Sequence, residues 1–229
     1  MDLTYANEFE RFVSAEVKEA AKELDKLTEQ SRKHLQKLTY TNLVDRFDVM
    51  IDKTIISNAL HESLLDDCLK QLDAPITEAN VLRLLMDARD INQVVEERVQ
   101  SILRNGVLRN RHSLKLQKLF EIVGEKTNVS KKTRVNISTG KILQDFSPQN
   151  NKVPTSICGY ADWLYSRRNS IVHGGGTGKM SDIDIKQLKK LYGAEVAATT
   201  RIKLNAITVA SEFYLGIIKM INDAANANA

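Results

Sequence analysis

Long stretches of apolar residues at helical spacing constrain this sequence more than any other feature. Apolar side chains recur every three or four residues over residues 2–38, 43–60, 77–104 and 194–222, which is the period of helices with one buried face. Only 3 of the 229 residues are proline, so little interrupts these stretches. The pattern predicts an all-α fold, a helical bundle with long helices near both ends of the chain. The length allows one domain over residues 1–229 with a sizeable core.

Residues that cap helices predict where the elements begin and end. Thr39–Asn42 offer capping oxygens, so a first helix, continuous or kinked, is predicted to end before them. Ser181 resembles the first residue of a capping box, which predicts a helix from Asp182 to Tyr192. A shorter helix is predicted over residues 109–123 with its basic side chains mostly outside, namely Arg109, Arg111, His112, Lys115 and Lys118.

Positive charge is concentrated in the middle of the chain. Residues 104–141 carry 10 Lys and Arg against 2 Asp and Glu, whereas residues 1–103 carry 13 against 20. The basic segment leads into a long loop over residues 124–154, in which the alternation of Val135–Ser138 allows a small hairpin. Such a segment suits a polyanion, although a basic stretch is also compatible with a plain solvated face. The candidates for phosphate contacts are Lys131, Lys132, Arg134, Arg109 and Arg111.

Several classes of protein are not favoured by the sequence. The two cysteines, Cys68 and Cys158, and the four histidines make no metal-ligand spacing, so we expect neither a metal nor another cofactor. Residues 174–179 superficially resemble a phosphate loop but lack its first glycine and the Ser or Thr after the lysine. No basic-then-apolar leader and no apolar run of membrane-spanning length is present, so we expect a cytoplasmic protein without a membrane partner.

The residues with the most chemical potential close a helix predicted over about residues 155–173. Three glycines follow His173 and can end this helix. Asn169 and His173 are about 40° apart around the helix and share a face, whereas Arg168 is about 140° from His173. An arginine that can fork onto phosphate oxygens and a histidine that can exchange a proton suit phosphodiester chemistry. The alternative is that His173 caps the helix and Arg168 pairs with a surface carboxylate.

The segment Arg168–Gly174, which reads Arg-Asn-Ser-Ile-Val-His-Gly, resembles the R-x4-6-H motif of the HEPN superfamily in its R-N-x-x-[VA]-H-G form. In detail it is similar to stand-alone bacterial HEPN proteins of the RiboL-PSP-like kind. The resemblance implies a HEPN-like bundle and a metal-independent endoribonuclease that cleaves RNA by attack of the 2′-OH. It implies catalytic roles for Arg168, His173 and Asn169, in which Asn169 orients His173 or binds phosphate, at a composite site where the motif helices of a homodimer meet. It further implies toxin–antitoxin or antiviral defence, with an antitoxin or defence protein as partner.

Two other functions stay open at this point. One is a non-catalytic RNA- or nucleotide-binding HEPN module that works with a partner protein. The other is a purely structural helical adaptor in which the motif only locks a dimer. Loss of RNA cleavage in His173→Ala would separate the nuclease from both.

Overall fold

Helices make up most of the chain that the structure describes. The computed structural model describes residues 1–71, 77–86, 90–124, 133–148, 152–173, 179–193, 196, 201–203 and 205–227. The α-helices are α1 (Thr4–Arg11), α2 (Lys18–Leu24), α3 (Glu29–Ser57), α4 (Glu62–Leu69), α5 (Glu78–Met86), α6 (Ile91–Asn105), α7 (His112–Ile122), α8 (Ile157–His173), α9 (Asp182–Tyr192) and α10 (Ala206–Ala227). A π turn (Phe12–Val17) joins α1 to α2, and a 3-10 turn (Val107–Arg109) precedes α7. The predicted all-α class is confirmed. None of the described helices combines the length and the apolarity needed to span a bilayer.

The first break in the helices falls at residues 25–28, so the predicted break at Thr39–Asn42 is wrong. α3 continues through these residues, because their side chains make contacts that are compatible with the helix and do not cap its end. Tyr40 is fully buried and its hydroxyl donates to the carbonyl oxygen of Leu164 at 3.2 Å. The Thr41 hydroxyl donates back to the carbonyl oxygen of Leu38 at 2.9 Å. Tertiary packing therefore overrides the local capping preference of this stretch.

Two other predicted helices begin or divide at different places. Asp90 has an extended backbone, and its side chain accepts a hydrogen bond from the backbone N–H of Asn92 at 2.9 Å. It therefore caps the start of α6, and the helix predicted over residues 77–104 is not continuous. The last helix begins at Ala206 rather than near residue 194. The Ser181 cap is confirmed, since its hydroxyl accepts from the backbone N–H of Asp184 at 3.1 Å.

An aromatic cluster at the centre of the bundle joins the N-terminal helices to α10. The rings of Phe47 and Tyr214 stack with their centroids 4.0 Å apart, and Phe9 packs against both. Tyr160 of α8 meets Phe213 edge to face at 4.9 Å. The apolar core is continuous from these rings into α3, α7, α8 and α10. Burial of such large side chains supplies the main driving force for this packing.

A small antiparallel hairpin packs against α10. Its strands are β1 (Arg134–Val135) and β2 (Ile142–Leu143), so the hairpin that the alternation allowed is present. Gly140 in the turn has φ +79°, and a Cβ added there would lie 2.0 Å from the carbonyl oxygen of Val209. The hairpin backbone therefore touches the backbone of α10 at a place where only glycine fits.

A buried ionic cluster links α3 to α7 and corrects the prediction that the basic residues of α7 lie mostly outside. His112 and Lys115 are 0% and 3% exposed. Lys115 Nζ lies 2.7 Å from Asp48 and 2.8 Å from Asp52, and His112 Nε2 lies 2.9 Å from Asp48. These pairs neutralise part of the positive charge that the sequence assigns to this region. The rest of the predicted outer set is more accessible: Arg109 is exposed and Arg111 and Lys118 are half-buried.

Asp48 makes stability depend on acid pH, whereas burial raises the pKa of Asp52 in the same cluster and acts in the opposite direction. Burial alone raises the pKa of the Asp48 carboxyl, but hydrogen bonding and charge from His112 and Lys115 outweigh burial and lower this pKa to about 2. The ionised carboxylate is thus favoured in the folded state. Its contribution, about 2 kcal/mol, is present above about pH 4 and is lost as the pH falls through 2. We expect urea unfolding to show a shallower loss of stability below pH 4 in Asp48→Asn than in the wild type. Equal slopes would contradict this role for Asp48.

Candidate active site

The helix that carries the motif, α8, is anchored at its N-terminal half by a buried carboxylate. Asp162 is 1% exposed and accepts hydrogen bonds from the backbone N–H and the hydroxyl of Ser113, at 2.9 and 2.8 Å. It also accepts one from the Tyr192 hydroxyl at 2.8 Å. Asp162 therefore ties the start of α7 and the end of α9 to α8, and it satisfies orphan donors at the start of α7. This anchoring fixes the position of the motif residues farther along α8.

Of the two adjacent arginines in α8, Arg167 is structural. It is 6% exposed, and its guanidinium lies 5.3 Å from the centroid of Tyr40 and 5.0 Å from that of Trp163. One of its N–H groups donates to the carbonyl oxygen of Arg201. These contacts hold the middle of α8 against α3 and the segment that precedes α10.

Arg168 lies nearer the surface and is held by two side chains. Its Nε is 2.5 Å from Asp45 Oδ1 on α3, and its Nη1 donates to Asn169 Oδ1 at 2.9 Å. The contact with Asp45 is an ion pair rather than an aligned hydrogen bond, because the Nε–H does not point at the carboxylate oxygen. Arginine has five N–H donors, so other donors on this guanidinium remain for a phosphate. This geometry also matches the alternative in which Arg168 pairs with a carboxylate.

His173 is the last residue of α8, and its side chain is exposed. Within the described part of the chain it has no hydrogen-bond partner. The amide oxygen of Asn169 accepts from Arg168 and does not hold the imidazole. Arg168 and His173 thus point away from each other on one helix, as their spacing predicts.

A serine fixes the chain on either side of the glycine-rich segment. The Ser170 hydroxyl donates to the carbonyl oxygen of Ser166 at 3.0 Å and accepts from the backbone N–H of Ser181 at 3.1 Å. The end of α8 and the start of α9 are therefore tied together. Residues 174–178, where the sequence predicts the helix stop, lie outside the described residues.

The predicted phosphate contacts come from different elements. Arg109 is exposed and donates to Asn105 Oδ1 at 3.0 Å, and Arg111 lies 3.7 Å from Asp184 of α9. Arg134 is half-buried on β1 and donates to the carbonyl oxygen of Thr133 at 2.9 Å. Lys131 and Lys132 lie outside the described residues. Arg111 and Arg134 are thus partly engaged inside the fold, and Arg109 is the most accessible of the three described.

Sequence reasoning missed one residue of this site, Asp45, which is 123 positions upstream of Arg168. The only signal in the sequence was the spacing of Asp45, Asp48 and Asp52 at i, i+3 and i+7, which places three carboxylates on one face of α3.

Among the described residues, no three His, Cys, Asp or Glu side chains gather closely enough to hold a metal ion. Comparisons with protein-family models, curated proteins and solved structures find no match to this chain.

Proposed function

We propose that this chain is a metal-independent endoribonuclease of the HEPN type. The observation that carries the proposal is the end of α8, where a half-buried arginine is held in one orientation and an exposed histidine closes the same helix. Arg168 supplies a fixed cation for the scissile phosphate, and His173 supplies a group that can exchange a proton. Charge stabilisation and proton transfer both lower the barrier to cleaving a phosphodiester, and neither of these groups needs a metal to act.

In the proposed reaction the 2′-OH of RNA attacks the adjacent phosphorus. The 2′ oxygen gives its proton to His173 or to water and forms the new P–O bond, while the P–O5′ bond breaks and the 5′ oxygen takes a proton from water or from His173, whichever did not act on the 2′-OH. The products are a 2′,3′-cyclic phosphate and a 5′-hydroxyl end. His173 acts as general acid or base, and Arg168 stabilises the charge that develops on the phosphate oxygens. Asn169 fixes the guanidinium of Arg168 by accepting its hydrogen bond. This role differs from the expected one, in which Asn169 orients His173 or binds phosphate.

In a homodimer Arg168 and His173 can face the same phosphate, which they cannot do within one chain. Because Arg168 and His173 are about 140° apart on α8, we place the Arg168 of one protomer opposite the His173 of the other. Exposed apolar side chains support an interface here: Val49 and Val172 are 50% and 49% exposed. Each lies one helical turn beyond a member of the Asp45–Arg168 pair, so they extend the same surface.

The Asp45–Arg168 ion pair also favours a second candidate, an RNA-binding module without catalysis. A carboxylate beside Arg168 reduces the positive charge available to the charge that develops on a phosphate during cleavage, whereas the remaining guanidinium donors can still bind a phosphate. In this second case the protein would bind RNA and leave it intact.

Cleavage of a mixed RNA pool in EDTA tests the proposal. We expect the purified protein to produce fragments with 2′,3′-cyclic phosphate and 5′-hydroxyl ends. RNA that is bound but stays intact would support the binding module. RNA that is neither bound nor cut would contradict both functions and leave the structural adaptor.

A further inference from the structure

A cleft opens beside Arg168, between the N-terminal helices and α3. Its volume is about 500 Å³, which is in the range of small-ligand sites. Phe12, Glu16 and Val17 of its wall belong to the π turn, and Asn42 and Asp45 come from α3. A π turn adds one residue to a helical turn and is common at functional sites. Here it supplies both the apolar floor and a carboxylate.

The cleft and the proposed phosphate site share one residue. Asp45 lines the cleft and is also the partner of Arg168. A ligand whose phosphate contacts Arg168 therefore has its neighbouring groups at the mouth of the cleft. Since the proposed substrate is a nucleic acid, the group that follows the phosphate is a nucleoside.

The lining selects a neutral group with hydrogen-bond donors. Among the described residues that line the cleft, Glu16 and Asp45 are carboxylates and none is lysine or arginine. Negative walls repel a phosphate, but carboxylate oxygens accept hydrogen bonds from N–H groups. Phe12 and Val17 are 6% and 3% exposed and form an apolar floor, and the Arg46 guanidinium lies over the Phe12 ring, 4.3 Å from its centroid. The flat face that this wall offers to a base is therefore the guanidinium plane of Arg46, on which bases also stack. An unpaired base fits this combination, because single-stranded RNA offers its base edges and faces to protein.

We infer that this cleft is a specificity subsite for an unpaired RNA base that carries an exocyclic amino group. The inference rests on the proposed function for its ligand class. Glu16 makes no hydrogen bond with the other described residues, so its carboxylate oxygens can accept from the amino group of cytosine, adenine or guanine, whereas the Asn42 amide can accept or donate and does not discriminate. Uracil presents a carbonyl oxygen at the position where cytosine has its amino group. That oxygen would face the Glu16 carboxylate, so the cleft disfavours uracil.

Binding of oligocytidine and oligouridine RNA of equal length tests the inference, since the two bases differ only at this group and at the adjacent N3, which is an acceptor in cytosine and an N–H donor in uracil. The protein used is the full chain with His173→Ala, which keeps the RNA intact and makes the result independent of cleavage. Fluorescence anisotropy should show roughly tenfold tighter binding of oligocytidine. Adding Glu16→Gln should reduce this preference to about twofold or less, because an amide also donates to a carbonyl oxygen.

Glu10→Gln is the matched control, since Glu10 is an exposed carboxylate of α1 outside the cleft. It should leave the preference unchanged. Equal binding of both RNAs would overturn the inference, as would equal effects of Glu10→Gln and Glu16→Gln. Cleavage of RNA without base preference would overturn the subsite and leave the nuclease standing. A Glu16-dependent preference in a wild-type protein that does not cut RNA would support the subsite and overturn the nuclease.

Discussion

Replacing His173 by alanine should lower the rate of RNA cleavage by roughly 10²–10⁴-fold, the usual contribution of a general acid or base. The side chain is exposed at the end of α8, so its removal should leave the free energy of unfolding nearly unchanged. Initial rates on one RNA substrate in EDTA, together with urea unfolding of both proteins, measure the two effects separately.

His34→Ala provides the matched control for this experiment. His34 is also an exposed histidine on a long helix, but it lies on α3 near Leu35 and not in the motif. Its replacement should leave cleavage unchanged. If His173→Ala cleaves RNA as fast as the wild type, or if His34→Ala loses as much activity, the assignment of His173 is wrong.

The largest expected loss of stability is that of Gly140→Ala, roughly 3–5 kcal/mol. The added Cβ would lie 2.0 Å from the carbonyl oxygen of Val209 and 3.1 Å from the backbone nitrogen of Phe213. Both contacts are backbone atoms of α10, so no side chain can turn aside to relieve them. The left-handed φ of +79° adds a further cost for any residue with a Cβ. Urea unfolding followed by circular dichroism measures the difference.

Gly193→Ala separates the steric effect from the backbone effect. Gly193 follows α9 with φ +69°, and a Cβ there meets no atom of the described residues within 4 Å. Its replacement should therefore cost only about 1 kcal/mol. If the two variants lose the same free energy of unfolding, the backbone of the hairpin does not contact the backbone of α10 as closely as described. The comparison matters for the site because the hairpin carries Arg134, one of the predicted phosphate contacts.

The features that the sequence predicts best are those that depend only on residues close together along the chain. Periodicity places most of the helices, the Ser181 cap is confirmed, and the alternation after residue 134 marks a real hairpin. The break predicted at Thr39–Asn42 failed because Tyr40 is buried and bonded to α8. No local pattern in α3 contains that contact.

Pairs formed across elements account for the differences in the basic residues and in the site. His112 and Lys115 look like surface residues of α7 until Asp48 and Asp52 of α3 are placed beside them. In the same way, the motif identifies Arg168 but not the carboxylate that holds it. Arg167 and Arg168 are adjacent and chemically identical, and only the packing of α8 makes one structural and leaves the other half-buried beside Asp45.

The activity of a mixed dimer tests the central claim, a composite nuclease site, most directly. Arg168→Ala and His173→Ala chains with different affinity tags would be produced together, and the dimers that carry both tags isolated. In the proposed arrangement each site takes Arg168 from one protomer and His173 from the other. One site of the mixed dimer then has both residues, and the other has neither.

The two single-variant proteins should each be nearly inactive, because every site in them lacks one residue. The mixed dimer should cleave RNA in EDTA at about half the wild-type rate per dimer. A mixed dimer as inactive as its parents would contradict the composite site, as would failure of the two tagged chains to associate.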